Sequence, residues 1–328
     1  MNRYHVSWWN VENLFDVQDT PSRPAYLNDR LNHELQGWNQ QVLEQKLSQL
    51  ARIIIQLNDG EGPDLLGLCE VENENVLNQL LGKLAPLNRN YKVAHHNTAD
   101  NRGIDIAFIY DADLFTKEEQ FNYVVLKRSA TRDIFQVNMR TRSGNEIIFI
   151  GNHWPSRSGG KYPSEPFRMM AAETLSYWME RIYEIRGSDT PVIIMGDFND
   201  QCFNRSITEY ALATNSVQKV INARSPRLFN LMWPIDGTGQ GTFYYDNFPL
   251  VIDQFMLSKG LFLGSAPIRP GTYPDGNLAK IDLFKEMVSD GDYRDPIRFG
   301  RPSGSSFNPH SGYSDHYPIS MILLEKQD

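Results

Sequence analysis

The sequence predicts an α/β fold of the α+β kind, with helices packed outside two facing β-sheets of mixed or antiparallel pairing. Three observations predict it. Short runs rich in β-branched and aromatic residues recur along the chain, two longer stretches carry apolar residues at helical spacing, and strands outnumber helices too heavily for strict alternation. Taken in order, Tyr4 to Trp9 reads as the first strand. Trp38 to Leu57 reads as an amphipathic helix, with Val42, Leu43, Leu47, Leu50, Ala51, Ile54 and Leu57 on one stripe. Strands follow at Leu65 to Glu70, Ile104 to Tyr110 and Glu146 to His153. Phe167 to Ile185 is the second helix, burying Met170, Leu175, Trp178 and Ile182. Ser164 is its expected cap, and Pro166 sits in its first turn, where a missing N–H breaks no intrahelical bond. Val192 to Asp197 and Val251 to Leu257 complete the strands. Asp16 to Gly37 and Gly264 to Gly312 read as long loops of the kind that form binding rims, the second enclosing a short helical segment at Leu278 to Met287.

A chain of 328 residues, 41% hydrophobic and 12% aromatic, has ample material for a large core. No stretch has the charged, apolar-poor composition of disordered chain, and one domain over residues 1–328 is expected. The net charge of -8 argues against a broad basic face that holds a polyanion by counterion release, while leaving a local grip on a few phosphates open. Cys69 and Cys202 are too few for a disulfide framework and lack CxxC spacing, so both read as free thiols. The opening MNRYHVSWWNVENLF lacks a basic segment, apolar core and small-residue cleavage site, and no run is long and apolar enough to span a bilayer. The expectation is a cytoplasmic protein without stable membrane insertion, and no feature calls for a protein partner.

Six segments place polar, metal-capable residues directly after an apolar strand, where the end of a sheet presents them to a common cleft. They are Trp9-Asn10-Val11-Glu12-Asn13, Gly67-Leu68-Cys69-Glu70-Val71-Glu72, Gly151-Asn152-His153-Trp154-Pro155-Ser156, Gly196-Asp197-Phe198-Asn199-Asp200, Ile252-Asp253-Gln254 and Tyr313-Ser314-Asp315-His316-Tyr317-Pro318. Each alone is ordinary: an Asn or Asp at a strand end usually serves a turn or cap, and a lone His is usually structural. His95-His96 keep that structural reading, and Trp8, Trp9 and Trp154 read as packing.

In this order and with this spread, nearly covering the chain, the set resembles the endonuclease/exonuclease/phosphatase superfamily, which includes deoxyribonuclease I, abasic-site endonucleases, inositol-polyphosphate phosphatases and sphingomyelinases. The resemblance implies a four-layer α/β/β/α sandwich with two mixed sheets inside. It places Asn10, Glu70 and Asp315 at the metal end, with Glu70 the principal ligand, and leaves the role of Glu12 open. Magnesium suits such a sparse oxygen set, since it keeps several waters, and manganese is an alternative. By the same resemblance His316 contacts the scissile phosphate or assists water, Asp253 orients it, and Asp197 with Asn199 aligns the nucleophilic water. His153 stands where abasic-site endonucleases carry tyrosine and Ser156 where many repair-type relatives carry asparagine, two departures that argue against abasic-site repair. Arg102, Ser156 and Lys161 are the candidate substrate contacts, although exposed basic residues are equally ordinary surface.

The implied activity is divalent-metal-dependent phosphodiester hydrolysis by in-line attack of an activated water, most plausibly on DNA with little sequence preference. The alternatives are a phosphatase or phospholipase acting on inositol phosphates, sphingomyelin-like lipids or other small phosphoesters, and a catalytically silent binding module.

Overall fold

A computed structural model describes residues 1–326. From the N-terminus run β1 (Asn2–Leu14), α1 (Ala25–Leu31), α2 (Gln40–Gln56), β2 (Leu65–Val71), α3 (Glu74–Lys83), β3 (Tyr91–His95), β4 (Asp105–Asp111), β5 (Phe115–Tyr123), β6 (Ile134–Thr141) and β7 (Glu146–His153). There follow α4 (Lys161–Arg186), β8 (Val192–Asp197), β9 (Ala213–Thr214), α5 (Val217–Ile221), β10 (Leu228–Asn230) and the hairpin β11 (Phe243–Tyr245) with β12 (Phe248–Leu250). The chain finishes with β13 (Asp253–Leu257), β14 (Ile268–Pro270), β15 (Ala279–Ile281) and β16 (Ile319–Glu325).

Among the described residues these strands form two seven-stranded sheets besides the hairpin. The first has the order β14-β16-β1-β2-β4-β3, with β15 also paired to β16; the second has the order β5-β6-β7-β8-β13-β10-β9. Both are mixed. Each carries one parallel pair near its middle, β1 with β2 and β7 with β8, flanked by antiparallel neighbours. The expected sandwich with two mixed sheets is therefore present.

The largest apolar cluster lies between the sheets and continues under α2 and α3, joining Trp8, Leu68 and Phe108 of the first sheet to Phe149, Met195 and Phe255 of the second. A second cluster seats Ala172, Leu175 and Met179 of α4 on Ile148, Ile150 and Ile194. Two glycines set how closely the sheets approach. A Cβ on Gly67 would meet Trp8 Cε3 at 2.6 Å and Met195 Sδ at 2.8 Å, and one on Gly151 would meet Ile106 Cγ2 at 2.5 Å. The Cys69 and Cys202 thiols are free and buried.

Several local expectations are corrected. Ser164 does not cap α4: the helix begins at Lys161, and Ser164 Oγ turns back inside the first turns to donate to Gly160 O at 2.6 Å while accepting from Arg168 Nη1 at 2.7 Å. The segment Leu278 to Met287 is not one helix. Its apolar positions pair with the edge of the first sheet as β15 before a single 3₁₀ turn at Lys285–Met287. The stretch from Asp16 to Gly37 contains α1, and that from Gly264 to Gly312 contains β14 and β15.

Candidate active site

The topology gathers the site. The regular pairing of parallel β1 and β2 breaks off after Asn10 and Cys69, which leaves Asn10 and Glu70 at one edge, and parallel β7 and β8 end at His153 and Asp197, which are register partners. Antiparallel neighbours bring their beginnings to the same edge: Asp253 starts β13 opposite Asp197, and His316 lies just before β16, which runs against β1. Bulges adjust the aim. The β2–β4 register shifts between Cys69 and Val71, and Glu70 takes a left-handed φ of 65°, a local irregularity that turns a side chain out of the pleat. Asn199, at φ 52°, folds the chain back so that its N–H donates to Asp197 Oδ1 at 2.9 Å.

Asp197 is the centre of the group. Its Oδ2 accepts from Asn10 Nδ2 at 3.1 Å and stands 3.7 Å from His153 Nε2 and 3.9 Å from His316 Nε2. Burial pushes its carboxyl up to about 7; neighbouring Asp253 adds to this, against the opposing pull of His316 and the donors of Asn199 and Asn10. His316 is displaced upward. Burial pulls it down, but Asp253, Asp197 and Asp315 outweigh burial and raise it to about 10. Its Nδ1 donates to Asp253 Oδ2 at 2.7 Å, and Trp8 Nε1 donates to the other Asp253 oxygen at 3.2 Å.

His153 behaves oppositely. Burial, then the charges of Arg132 and Arg102, hold it well below the ordinary histidine range, so the ring is neutral. Arg132 Nη2 lies 3.0 Å from His153 Nε2, and because a guanidinium only donates, the ring proton is assigned to Nδ1. Arg132, at 9% exposure, is a site residue that the sequence reading missed. Nothing around Thr131-Arg132-Asp133 distinguishes it from an ordinary loop arginine; only the β6–β7 pairing brings it to His153.

Glu70 occupies the other end. Its Oε2 accepts from Asn13 N at 3.0 Å, while Oε1 stands 3.6 Å from Arg102 Nη1 and 3.7 Å from His153 Nε2, beyond hydrogen-bond length. Burial would raise this carboxyl, but Arg102, Arg132, His316 and Arg301 hold it below the usual range, so it is ionised. An ionised carboxylate with one oxygen outside any hydrogen bond, close enough to the Asp315 carboxylate to interact with it electrostatically, fits a hard divalent cation; the Asn10 amide on the adjacent strand donates to Asp197 and accepts from Glu12 N at 3.0 Å. Asp197, Asp253 and His316 also bring potential ligand atoms within 4.8 Å of one another. That trio fits a cation less well: both Asp253 oxygens are committed to donors, and a protonated imidazole has no lone pair to give.

Glu12 acts as a clasp. Its carboxylate holds Arg298 at 2.7 Å and accepts from Phe299 N at 2.8 Å, and Arg298 also reaches Asp315 at 3.2 Å, so the end of the long Gly264 to Gly312 stretch walls the cleft. Arg102 donates to Asn13 Oδ1 at 2.6 Å and Arg301 to the same oxygen at 2.9 Å. Asn199 Nδ2 donates to Trp154 O at 3.1 Å. Ser156 and Lys161 are exposed and outside this group: Ser156 Oγ pairs with Ser158 Oγ at 3.0 Å, and the Lys161 ammonium lies 6.0 Å from the Tyr162 ring.

The loops carrying these residues are tied together by Arg168, fully buried on α4. Its Nε lies 2.7 Å from Asp200 Oδ2 and its Nη1 reaches Pro155 O at 3.4 Å; Asp200 also accepts from Arg157 and Ser206. This arginine too escaped the sequence reading.

Residues 5–326 match the sequence profile of a family described as the endonuclease/exonuclease/phosphatase family. A comparison with curated proteins finds no match. Among solved structures, the chain is similar to a mannosyl-6-phosphatase of Bacteroides thetaiotaomicron, at 17% identity and a TM-score of 0.57, covering 98% of this chain and 99% of that one. It is similar to the human Nocturnin catalytic domain at 16% identity and a TM-score of 0.53, over 99% and 95% of the two chains. A truncated Caenorhabditis elegans TDP2 gives 13% identity and a TM-score of 0.56, over 99% and 98%. At such identities the likeness is one of fold.

Proposed function

The chain belongs to the endonuclease/exonuclease/phosphatase family and is a hydrolase of phosphoester bonds; from that premise we propose that it cleaves phosphodiesters by direct attack of water, with Asp197 as general base and His316 as the cationic contact to the phosphate. Members of the family generally depend on a divalent metal, and we assign its place to Glu70, supported by Asn10 and Asp315, with magnesium the expected ion and manganese an alternative. Bound there, the cation would supply positive charge to a phosphate oxygen. The observation that carries the reading is the geometry of three buried groups: His316 Nδ1 donates to Asp253 Oδ2 at 2.7 Å, which holds the ring protonated, and its Nε2 stands 3.9 Å from Oδ2 of Asp197, whose carboxyl burial makes more basic.

In this mechanism the water oxygen forms a bond to phosphorus as Asp197 Oδ2 takes its proton. The His316 Nε2–H steadies the negative charge gathering on the phosphoryl oxygens, and the bond to the leaving oxygen breaks with its electron pair. Neutral His153, braced by Arg132, borders the same phosphate. Asn199 fixes the direction of the Asp197 carboxylate through its backbone N–H.

The substrate we propose is DNA, cut with little sequence preference. Arg102, Arg298 and Arg301 surround the Glu70 end, and guanidinium contacts to phosphate position a strand without reading bases. Incubation of the purified protein and magnesium with plasmid DNA, inositol phosphates and sphingomyelin tests this. Nicking of plasmid that chelation abolishes is the expected result, whereas inert DNA with phosphate or phosphocholine release would transfer the assignment to a small phosphoester. Full activity in Asp197→Ala or His316→Ala would overturn the mechanism.

A further inference from the structure

The buried face of α2 carries Leu43, Leu47 and Leu50, and in the middle of that apolar stripe stands Lys46, completely shielded from solvent. Lysine is almost never buried whole unless a carboxylate pairs with it, because its ammonium gives up water and its stem gives up rotamer freedom. Arg168, another fully buried base, has Asp200 at 2.7 Å. Lys46 is answered differently. Among the described residues its Nζ forms no ion pair; it donates to the main-chain oxygen of Tyr313 at 2.6 Å and lies 4.8 Å from the centre of the Phe299 ring. Burial pulls the ammonium down to about 8, and the carboxylates of Glu12, Asp315 and Glu70 keep it from falling further, so it is charged at neutral pH.

Both contacts fall on chain that walls the cleft, and both lead to the site. Tyr313 opens the turn to His316. Its N–H donates to Ile297 O at 2.7 Å, Ser314 Oγ donates to Asn10 O at 2.6 Å and accepts from His316 N at 3.1 Å, and Trp9 Nε1 donates to His316 O at 2.9 Å. Phe299 follows Arg298, and its N–H donates to Glu12 at 2.8 Å. The two passes press together, since a Cβ on Gly312 would meet Arg298 O at 2.2 Å. We propose that Lys46 is a positioning residue for the reaction: from the buried side it fixes the turn 313–316, and through that turn the reach of His316 toward Asp197. The proposal rests on the hydrolysis assigned to Asp197 and His316. The charge of Lys46 has a second use. Burial, then Glu12 and Glu70, work against an ionised Asp315, and a fixed cation behind the three carboxylates offsets part of their mutual repulsion. A methionine would fill the same space without the desolvation cost, so packing alone gives no reason for a lysine.

Lys46→Met is the test, since it keeps the length of the side chain and removes both charge and donor. Two readouts are taken. One is the set of ring-nitrogen NMR shifts of His316, recorded without substrate or metal, which report the bond to Asp253. The other is kcat and KM for bis(p-nitrophenyl) phosphate in magnesium, normalised to the folded fraction measured by near-ultraviolet circular dichroism. The His316 shifts are expected to move beyond their line width. The value of kcat should fall about 10- to 100-fold, the scale of a small misplacement transmitted from a distance, with KM within about threefold of wild type. A residue that only stabilises the fold would lower the folded fraction and leave both readouts where they are. Either readout unmoved in the folded variant overturns the proposal. If Lys46→Met does not fold, Lys46→Gln, which keeps a donor for Tyr313 and drops the charge, is read by the same criteria. If wild type leaves the diester intact while the His316 shifts still move with Lys46, the phosphodiester reading fails and the hold of Lys46 on His316 stands.

Discussion

The carboxylate of Asp253 and the imidazole of His316 are joined by a 2.7 Å hydrogen bond that crosses from the second sheet to the first. The bond fixes the ring with Nε2 toward Asp197 and keeps it charged in a place where burial alone would discharge it. Asp253→Asn keeps the shape and removes the charge. Its expected effect is a loss in kcat of roughly 10²- to 10⁴-fold, the range of a positioned acid or base. The His316 pKa, followed by NMR titration, should fall at the same time. A kcat within threefold of wild type, together with an unmoved His316, would contradict the role.

The same charges set a pH profile. In the proposed mechanism Asp197, raised to about 7, has to be ionised to accept a proton, and His316, raised to about 10, has to be protonated to contact phosphate. The plot of kcat/KM against pH should therefore rise through about 7 and fall through about 10, as macroscopic values of a coupled group. The signs for stability are opposite in kind. His316 contributes stabilisation that is complete below 6.5 and lost as pH rises through about 10, whereas Asp197 is destabilising once ionised, so its effect is a decline in stability from 3.8 up to about 7. Thermal melts of wild type and Asp197→Asn across that lower window should converge at its acid end.

Glu70→Gln removes a buried, ionised carboxylate whose Oε1 lies outside any hydrogen bond. The concentration of magnesium giving half-maximal activity should rise by at least tenfold, and direct titration of manganese by electron paramagnetic resonance should show the same weakening. Unaltered metal binding in that variant would move the metal to the Asp197, Asp253 and His316 trio.

Arg168 is wholly buried against Asp200. Arg168→Met leaves Asp200 with the remaining partners Arg157 and Ser206, and breaking a buried pair from one side costs about 3–5 kcal/mol. Urea unfolding should show a loss on that scale. A loss under 1 kcal/mol would mean that the loops after β7 and β8 are held by something else.

Gly67→Val tests the seam between the sheets. With Trp8 Cε3 and Met195 Sδ both under 3 Å from any added Cβ, the substitution forces the sheets apart, and overpacking of this kind costs typically about 1–3 kcal/mol. Activity should fall further than stability does, because Asn10 and Glu70 lie on one side of that seam and Asp197 on the other.

What the sequence made legible is what local chemistry marks. His153 and Asp197 are the last residues of apolar strands, Glu70 is next to last in one, and Asp253 opens one, so the sequence pattern leads to the same strand ends that meet in the candidate site. The β1, β2, β7 and β8 runs are fully or almost fully buried and read as strands for that reason. β5 was not legible because it is an edge strand with mostly exposed polar residues, and β15 was not because three residues carry too little periodicity to separate a strand from a helix. Arg132 and Arg168 were illegible for another reason. A buried arginine is defined by the carboxylate or imidazole that tertiary contact delivers to it, and His153 and Asp200 lie 21 and 32 residues away in sequence.

β16 lies beside β1 although the two are separated by nearly the whole sequence, and His316 is set by the turn that leads into it. During synthesis, then, Asn10, Glu70, His153 and Asp197 are all made while their partner imidazole is still to be translated. Until β16 docks, Asp197 has no cationic neighbour from that strand and Asp253 has no imidazole to hold. On the proposed mechanism, a ribosome-bound chain short of that strand lacks its cationic contact to the phosphate, and the site is completed only as the first sheet closes.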